Sequence, residues 1–298
     1  MNIKHLIWLF LLVLFGFSIN GSSQEIAKDT IAKKDTTIVQ KLEKIVQLVI
    51  EDTISKKETK KDSLLEKKLD KKFYGFLQFK HETSLFIETP IKWHKTDWAR
   101  LGLIVAATVA IMPLDQNFDY VTQTHKSYYY TLPVVIGNIY GEWYFTGTLI
   151  AVSAGYTLMT HNIEAEKVDI ELIQAGIYSE LIAGILKVGI GRSGPNIYHG
   201  AFEYHPFAHL KANFESMPSS DASLAFALSI ITYRHTNSPL LKILAFVPAA
   251  FTLFARIYQN QHWASDEFLG AAIGFSTGEW VVNLHEGKRH KINIPVIY

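Results

Sequence analysis

Three short segments of this 298-residue chain carry residue types that suit phosphate chemistry. In the first, Lys187 is followed by Gly191, Arg192, Ser193, Gly194 and Pro195. A lysine supplies a point charge for an anion. The second is Met217–Ser223, reading MPSSDAS, at the head of an apolar run. Pro-Ser-Ser-Asp there predicts a helix N-terminus, whose free amides and serine hydroxyls suit an anion. The third holds Arg256, Tyr258, His262 and Asp266. An arginine can bind phosphate oxygens through two parallel hydrogen bonds. His262 and Asp266 are four apart and share a face if helical. A carboxylate on one imidazole nitrogen fixes the tautomer and leaves the other nitrogen as nucleophile or base. Singly, each feature has a plain structural explanation: a surface pair, a helix cap, a snorkelling cation. Their order and spacing together point to phosphate handling.

Taken in order, these residues resemble the three-part signature of the type 2 phosphatidic acid phosphatase and vanadium haloperoxidase superfamily. The third motif reads ARIYQNQHWASD, in which Arg256, His262 and Asp266 match and Ala255 replaces a serine. The first reads KVGIGRSGPN, in which Lys187 and Pro195 match and Gly194 stands where arginine belongs. The second reads PSSDAS, in which Pro218 and Ser219 match, Ser220 replaces glycine and Asp221 replaces histidine. The resemblance covers roughly residues 95–287. It implies an all-α, six-helix bundle. It also implies a metal-independent phosphatase that needs no cofactor and forms a phosphohistidine. His262 would be the nucleophile and Asp266 its orienter. Lys187, Ser219 and Arg256 would hold phosphoryl oxygens, with Ser220 beside them.

Two roles of that signature are vacated, at Gly194 and Asp221. A lost general acid typically costs about 10²–10⁴ in rate, and a lost transition-state donor about 10²–10³. Arg192, two residues before the vacant arginine position, is expected to swing in as a phosphate ligand. Asp221 is a poor proton donor on this reading, because Lys187 and Arg256 nearby would lower its pKa. His199, His205 and His209 lie in the intervening loop and could supply a proton or form a zinc cluster. The alternative to an enzyme is a non-catalytic relative that binds an anionic headgroup or a protein. Vanadium haloperoxidase chemistry fits less well with the acid histidine and one anion-binding arginine gone.

These segments must be positioned by helices. Six apolar stretches read as helical: Trp98–Leu114, Glu142–Thr160, Glu171–Gly189, Asp221–Tyr233, Leu240–Tyr258 and Trp263–Leu284. Ala and Gly recur within them (LGAAIGFSTG), which predicts close helix approach. The charged loops fit an external site if all six span a membrane. Several stretches are short for a span, however; Leu101–Leu114 is fourteen uncharged residues against about 20. The balance favours a bundle outside the cytoplasmic membrane, resting on lipid.

Ahead of the bundle, residues 1–23 read as a secretory signal peptide: one lysine, an apolar run from His5 to Phe17, then small polar residues. Cleavage is expected before Gln24, which implies export to the periplasm or cell envelope. Residues 24–75 read as a charged, flexible tail, and 76–298 as the helical domain. The tail is so charged that residues 25–72 hold 13 of the 29 basic and 10 of the 28 acidic residues. Too few apolar groups are left there to offset chain entropy. Net charge is +1, which argues against a nucleic-acid partner. Cysteine is absent, which excludes thiolate metal sites and cysteine nucleophiles. The expected partner is a phosphorylated small molecule or lipid.

Overall fold

The computed structural model describes residues 76–127, 130–197, 200–207 and 214–287. The expected signal peptide and tail lie outside the described residues, as do His199 and His209. The described residues divide into two compact units, one taking in residues 76–94 and the other beginning at residue 95. In the first, helix α1 (Phe76–Glu88) runs into a 3-10 turn at Thr89–Lys92. Glu88 pairs with Lys92 at 2.7 Å across that junction.

The second unit is all-helical among the described residues. Its helices are α2 (Lys95–Ile111), α3 (Asp115–Thr124), α4 (Thr131–Gly141), α5 (Trp143–Thr160), α6 (Ile163–Ile190), α7 (Ser220–His235), α8 (Pro239–Leu244), α9 (Val247–Tyr258) and α10 (Ala264–His285). Five of the six expected stretches appear as single helices within a few residues, although α6 begins eight residues earlier. There Asn162 caps the helix, its side chain accepting from the amides of Glu164 and Ala165. The stretch expected at Leu240–Tyr258 is two helices. The break falls at Ala245–Phe246, just before Pro248, which cannot donate to a continuing helix. Two helices of this unit were not among the expected stretches. Helix α3 is polar, DQNFDYVTQT. Helix α4 carries a proline in its first turn, where no amide donor is required.

The core is built on α7 and α10, which pack most extensively against each other. A stripe of glycines on α10 makes this possible. A Cβ at Gly270 would strike the Ser219 carbonyl oxygen, and one at Gly274 the Ser223 carbonyl. One at Gly278 would press on Ile230 and stand 3.1 Å from the Ala227 carbonyl. The Ser223 hydroxyl then donates to the Gly270 carbonyl at 3.0 Å. Close backbone approach thus stands in for side-chain interdigitation. At the far ends of these helices the buried Glu171 of α6 receives His235 Nε2 at 2.5 Å and His285 Nδ1 at 3.2 Å. One carboxylate therefore ties the start of α6 to the ends of α7 and α10.

The segment Lys95–Thr124, helix α6 and the pair Pro239–Tyr258 are each long and apolar enough to cross a membrane. The first runs 30 residues where the sequence suggested fourteen, because α3 continues from α2 through a short 3-10 turn at Met112–Leu114. For that segment the length argument against a spanning helix therefore does not hold. Leu103, Val109, Val152, Met159, Ile185 and Ile243 all project from the bundle exposed. Such a surface is too apolar for water alone and marks membrane association.

Candidate functional site

The three chemistry-bearing segments meet at the end of the bundle where α7 and α10 begin. Helix α6 ends at Gly191, which takes the left-handed conformation (φ 60°) and turns the chain at once. A side chain there would collide with the His205 carbonyl. Lys187, one turn before the end, donates from Nζ to the Glu215 carbonyl at 2.9 Å. Ser219 caps α7, its hydroxyl accepting from the Ala222 amide at 3.2 Å, and Ser220 is the first residue of that helix. The Ser219 amide donates to the Asp266 carbonyl at 3.1 Å, which sets the two helix starts side by side. His262 sits in the turn between α9 and α10, half-buried.

His262 Nδ1 lies 2.7 Å from the carbonyl oxygen of Ser216. A carbonyl can only accept, so Nδ1 carries the proton and Nε2 is left with its lone pair. Burial first, and then the charges of Lys187 and Arg256, lower the His262 pKa to about 3. The imidazole is therefore neutral at ordinary pH, and both cations lie close enough to act on it.

Asp266 is not where the sequence expectation put it. Its carboxylate is completely engaged away from His262: Oδ1 with Arg192 Nη1 at 2.6 Å, and Oδ2 with the Ser216 hydroxyl at 2.5 Å and the Trp263 amide at 3.0 Å. The cause is Arg192, a stronger partner for a buried carboxylate than a neutral imidazole.

Arg192 in turn cannot serve as a phosphate ligand, contrary to expectation. It is wholly buried. Nε and Nη2 both donate to the Ala201 carbonyl, Nη1 to Ser265 Oγ and Asp266 Oδ1, and Nη2 also to Asp115 Oδ2. These five bonds use all five N–H groups. Asp115, at the start of α3, also accepts from the Ser265 amide at 2.9 Å and the Ser265 hydroxyl at 2.5 Å. Sequence reasoning passed over Asp115, Ser216 and Ser265. The one signal for Asp115 was an acidic residue closing an apolar run, and Ser216 carried none.

Arg256 is also occupied. Its Nε lies 2.7 Å from Asp221 Oδ2, Nη2 reaches Glu142 Oε1 at 3.0 Å, and Nη1 reaches Gln261 Oε1 at 2.8 Å. Asp221 lies outside the three membrane-length segments, in the first turn of α7. Its pKa is raised by burial, with Glu142 adding to the rise; Arg256 and Lys187 oppose it and lose. The sequence expectation had the sign reversed, because it counted the cations and not the desolvation. Gly194 lies beside this group: a Cβ there would stand 3.4 Å from the Gln261 carbonyl and 3.7 Å from Ser216 Oγ.

Lys187, Ser219, Arg256 and His262, far apart in sequence, thus share one neighbourhood, and the chain that links them matches a known family. Residues 171–290 match the PAP2 superfamily. Over that stretch the chain is similar to this superfamily. It is 36% identical over 74 residues to a lipid A 1-phosphatase of Porphyromonas gingivalis, covering 23% of this chain and 17% of that one. It is 33% identical over 136 residues to a lipid A 1-phosphatase of Rhizobium etli, covering 41% of this chain and 54% of that one. The match therefore spans about half, or less, of the length of these curated relatives. Among solved structures it resembles a transmembrane PAP2 type phosphatidylglycerolphosphate phosphatase from Bacillus subtilis. That likeness has a TM-score of 0.49 at 19% identity and covers 64% of this chain and 96% of that one.

Proposed function

We propose that this PAP2 superfamily member is a membrane-embedded phosphatase of lipid phosphomonoesters, with lipid A 1-phosphate as its substrate class. The observation that carries the reading is the neutral, Nδ1-protonated His262 beside Lys187 and Arg256. The names of the curated relatives supply the substrate class, and the three membrane-length segments support access to a lipid. In the reaction, the His262 Nε2 lone pair attacks phosphorus and the P–O bond to the lipid breaks. Water then attacks the phosphohistidine, releases inorganic phosphate and restores the imidazole. Lys187, Arg256 and the amides that open α7 would hold the phosphoryl oxygens. The lipid oxygen needs a proton as it leaves. Asp221 stands in the place of the family's acid, and burial favours its protonated form.

A second reading has its own support: Arg256 is held by Asp221, Glu142 and Gln261, and a phosphate must displace a carboxylate to reach it. On that reading the protein binds an anionic headgroup without turning it over. Phosphate release from bisphosphorylated lipid A by the detergent-solubilised full chain separates the two. Release that disappears in His262→Ala supports the phosphatase. Headgroup binding without release, at any pH, supports the binding protein.

A further inference from the structure

The superfamily signature pairs a histidine with an aspartate, yet here a third residue stands between them. We infer that Ser216 is the positioning residue for His262, its carbonyl fixing the imidazole and its hydroxyl tying that carbonyl to the buried Asp266–Arg192–Asp115 network. This rests on the reading of His262 as nucleophile.

The geometry runs in one unbroken line. His262 Nδ1 donates to Ser216 O at 2.7 Å. A loop carbonyl holds a ring only as firmly as its own residue is held. Ser216 is buried and fixed from three sides. Its amide donates to the Arg192 carbonyl at 3.1 Å. Its hydroxyl donates to Asp266 Oδ2 at 2.5 Å. The peptide before it receives Lys187 Nζ on the Glu215 carbonyl at 2.9 Å. Asp266 is held by Arg192, and Arg192 by Asp115, with every donor of the guanidinium used. Asp266 thus acts on His262 through Ser216, and the same serine sets the peptide that anchors Lys187. A misplacement of about 1 Å at a nucleophile can cost about 10²-fold in rate.

The test removes the tether and keeps the carbonyl. In the full chain in detergent, the ¹⁵N shifts of the His262 ring report the tautomer. The wild type should show a single Nδ1–H form. Ser216→Ala should show mixed tautomers, and kcat on bisphosphorylated lipid A should fall about 10²-fold with KM little changed. Ser216→Thr, which keeps the hydroxyl, should recover both. If Ser216→Ala fails to fold, Ser216→Cys, of similar size with a weaker donor, serves the same comparison. A Ser216→Ala or Ser216→Cys protein with one tautomer and wild-type kcat would overturn the inference. If the wild type releases no phosphate from any lipid, the proposed phosphatase falls. The tautomer comparison alone then decides the role of Ser216.

Discussion

Arg192 Nη2 and Asp115 Oδ2 meet at 2.7 Å across 77 positions of sequence, both without solvent exposure. With Asp266 on the same guanidinium, the pair joins the start of α3 to the start of α10 and to the loop after α6. The surroundings of His262 are thus a folding unit as much as a chemical one.

Arg192→Ala should therefore act on stability. Removing the guanidinium leaves two buried carboxylates uncompensated, and breaking such a pair costs about 3–5 kcal/mol. Chemical denaturation in detergent would measure it. A variant that melts normally and shows only a raised KM would instead make Arg192 a substrate ligand.

Refilling the vacated positions should raise turnover. Gly194→Arg adds an anion donor worth about 10²–10³ in rate, and Asp221→His exchanges a buried carboxyl donor for an imidazole worth at most about 10²–10⁴ more. The surroundings at Gly194 permit a side chain if the Asn196 carboxamide shifts, since its Oδ1 stands 2.8 Å from the added Cβ. Replacing Asp221 also removes a carboxylate from Arg256. His262→Ala in the refilled protein should erase the gain. A refilled protein that folds and stays inert would favour the binding reading.

The pH dependence follows from His262. Its pKa is lowered from 6.5 to about 3 by burial, then by Lys187 and Arg256. Between those values the unfolded chain binds a proton that the native state does not. The contribution of His262 is whole above pH 6.5 and is lost as pH falls toward about 3. In His262→Gln this acid sensitivity should shrink. A ring-proton titration of His262 centred near 6.5 would contradict the assignment.

The glycine stripe gives a paired test. Gly274→Ala places a methyl against the Ser223 carbonyl and should cost about 1–3 kcal/mol or prevent folding. Gly155→Ala, with nothing within 4 Å of the new Cβ, should be neutral or stabilising by up to about 1 kcal/mol. Equal effects from the two, read from thermal melts in one detergent, would refute the close-packing argument.

Much of the fold was legible because burial forces periodicity: α5, α6, α7 and α10 all show apolar runs of helical length. Helix α3 was hidden because its role is polar, presenting Asp115 to Arg192 from a sequence that looks like a loop. The site was legible in its cations and histidine, whose types are rare in apolar helices. Its wiring was not. Spacing brings Asp266 near His262, but which partner a carboxylate takes depends on Arg192, delivered by a turn that spacing does not encode. Asp221 shows the same limit for proton affinity: charges can be counted along a chain, and desolvation cannot.

The contacts of Gly270, Gly274 and Gly278 with the Ser219, Ser223 and Ala227 backbones have a consequence for how this scaffold can change. The gauge between the segment bearing Ser219 and the one bearing Asp266 is set largely by main-chain atoms, with no site side chain taking part. Positions 194 and 221 are thus free to drift in identity while the frame around them keeps its dimensions. In such a scaffold a side chain exchanged at either position could be exchanged back without rebuilding the frame. A single methyl added to the stripe would be much harder to undo.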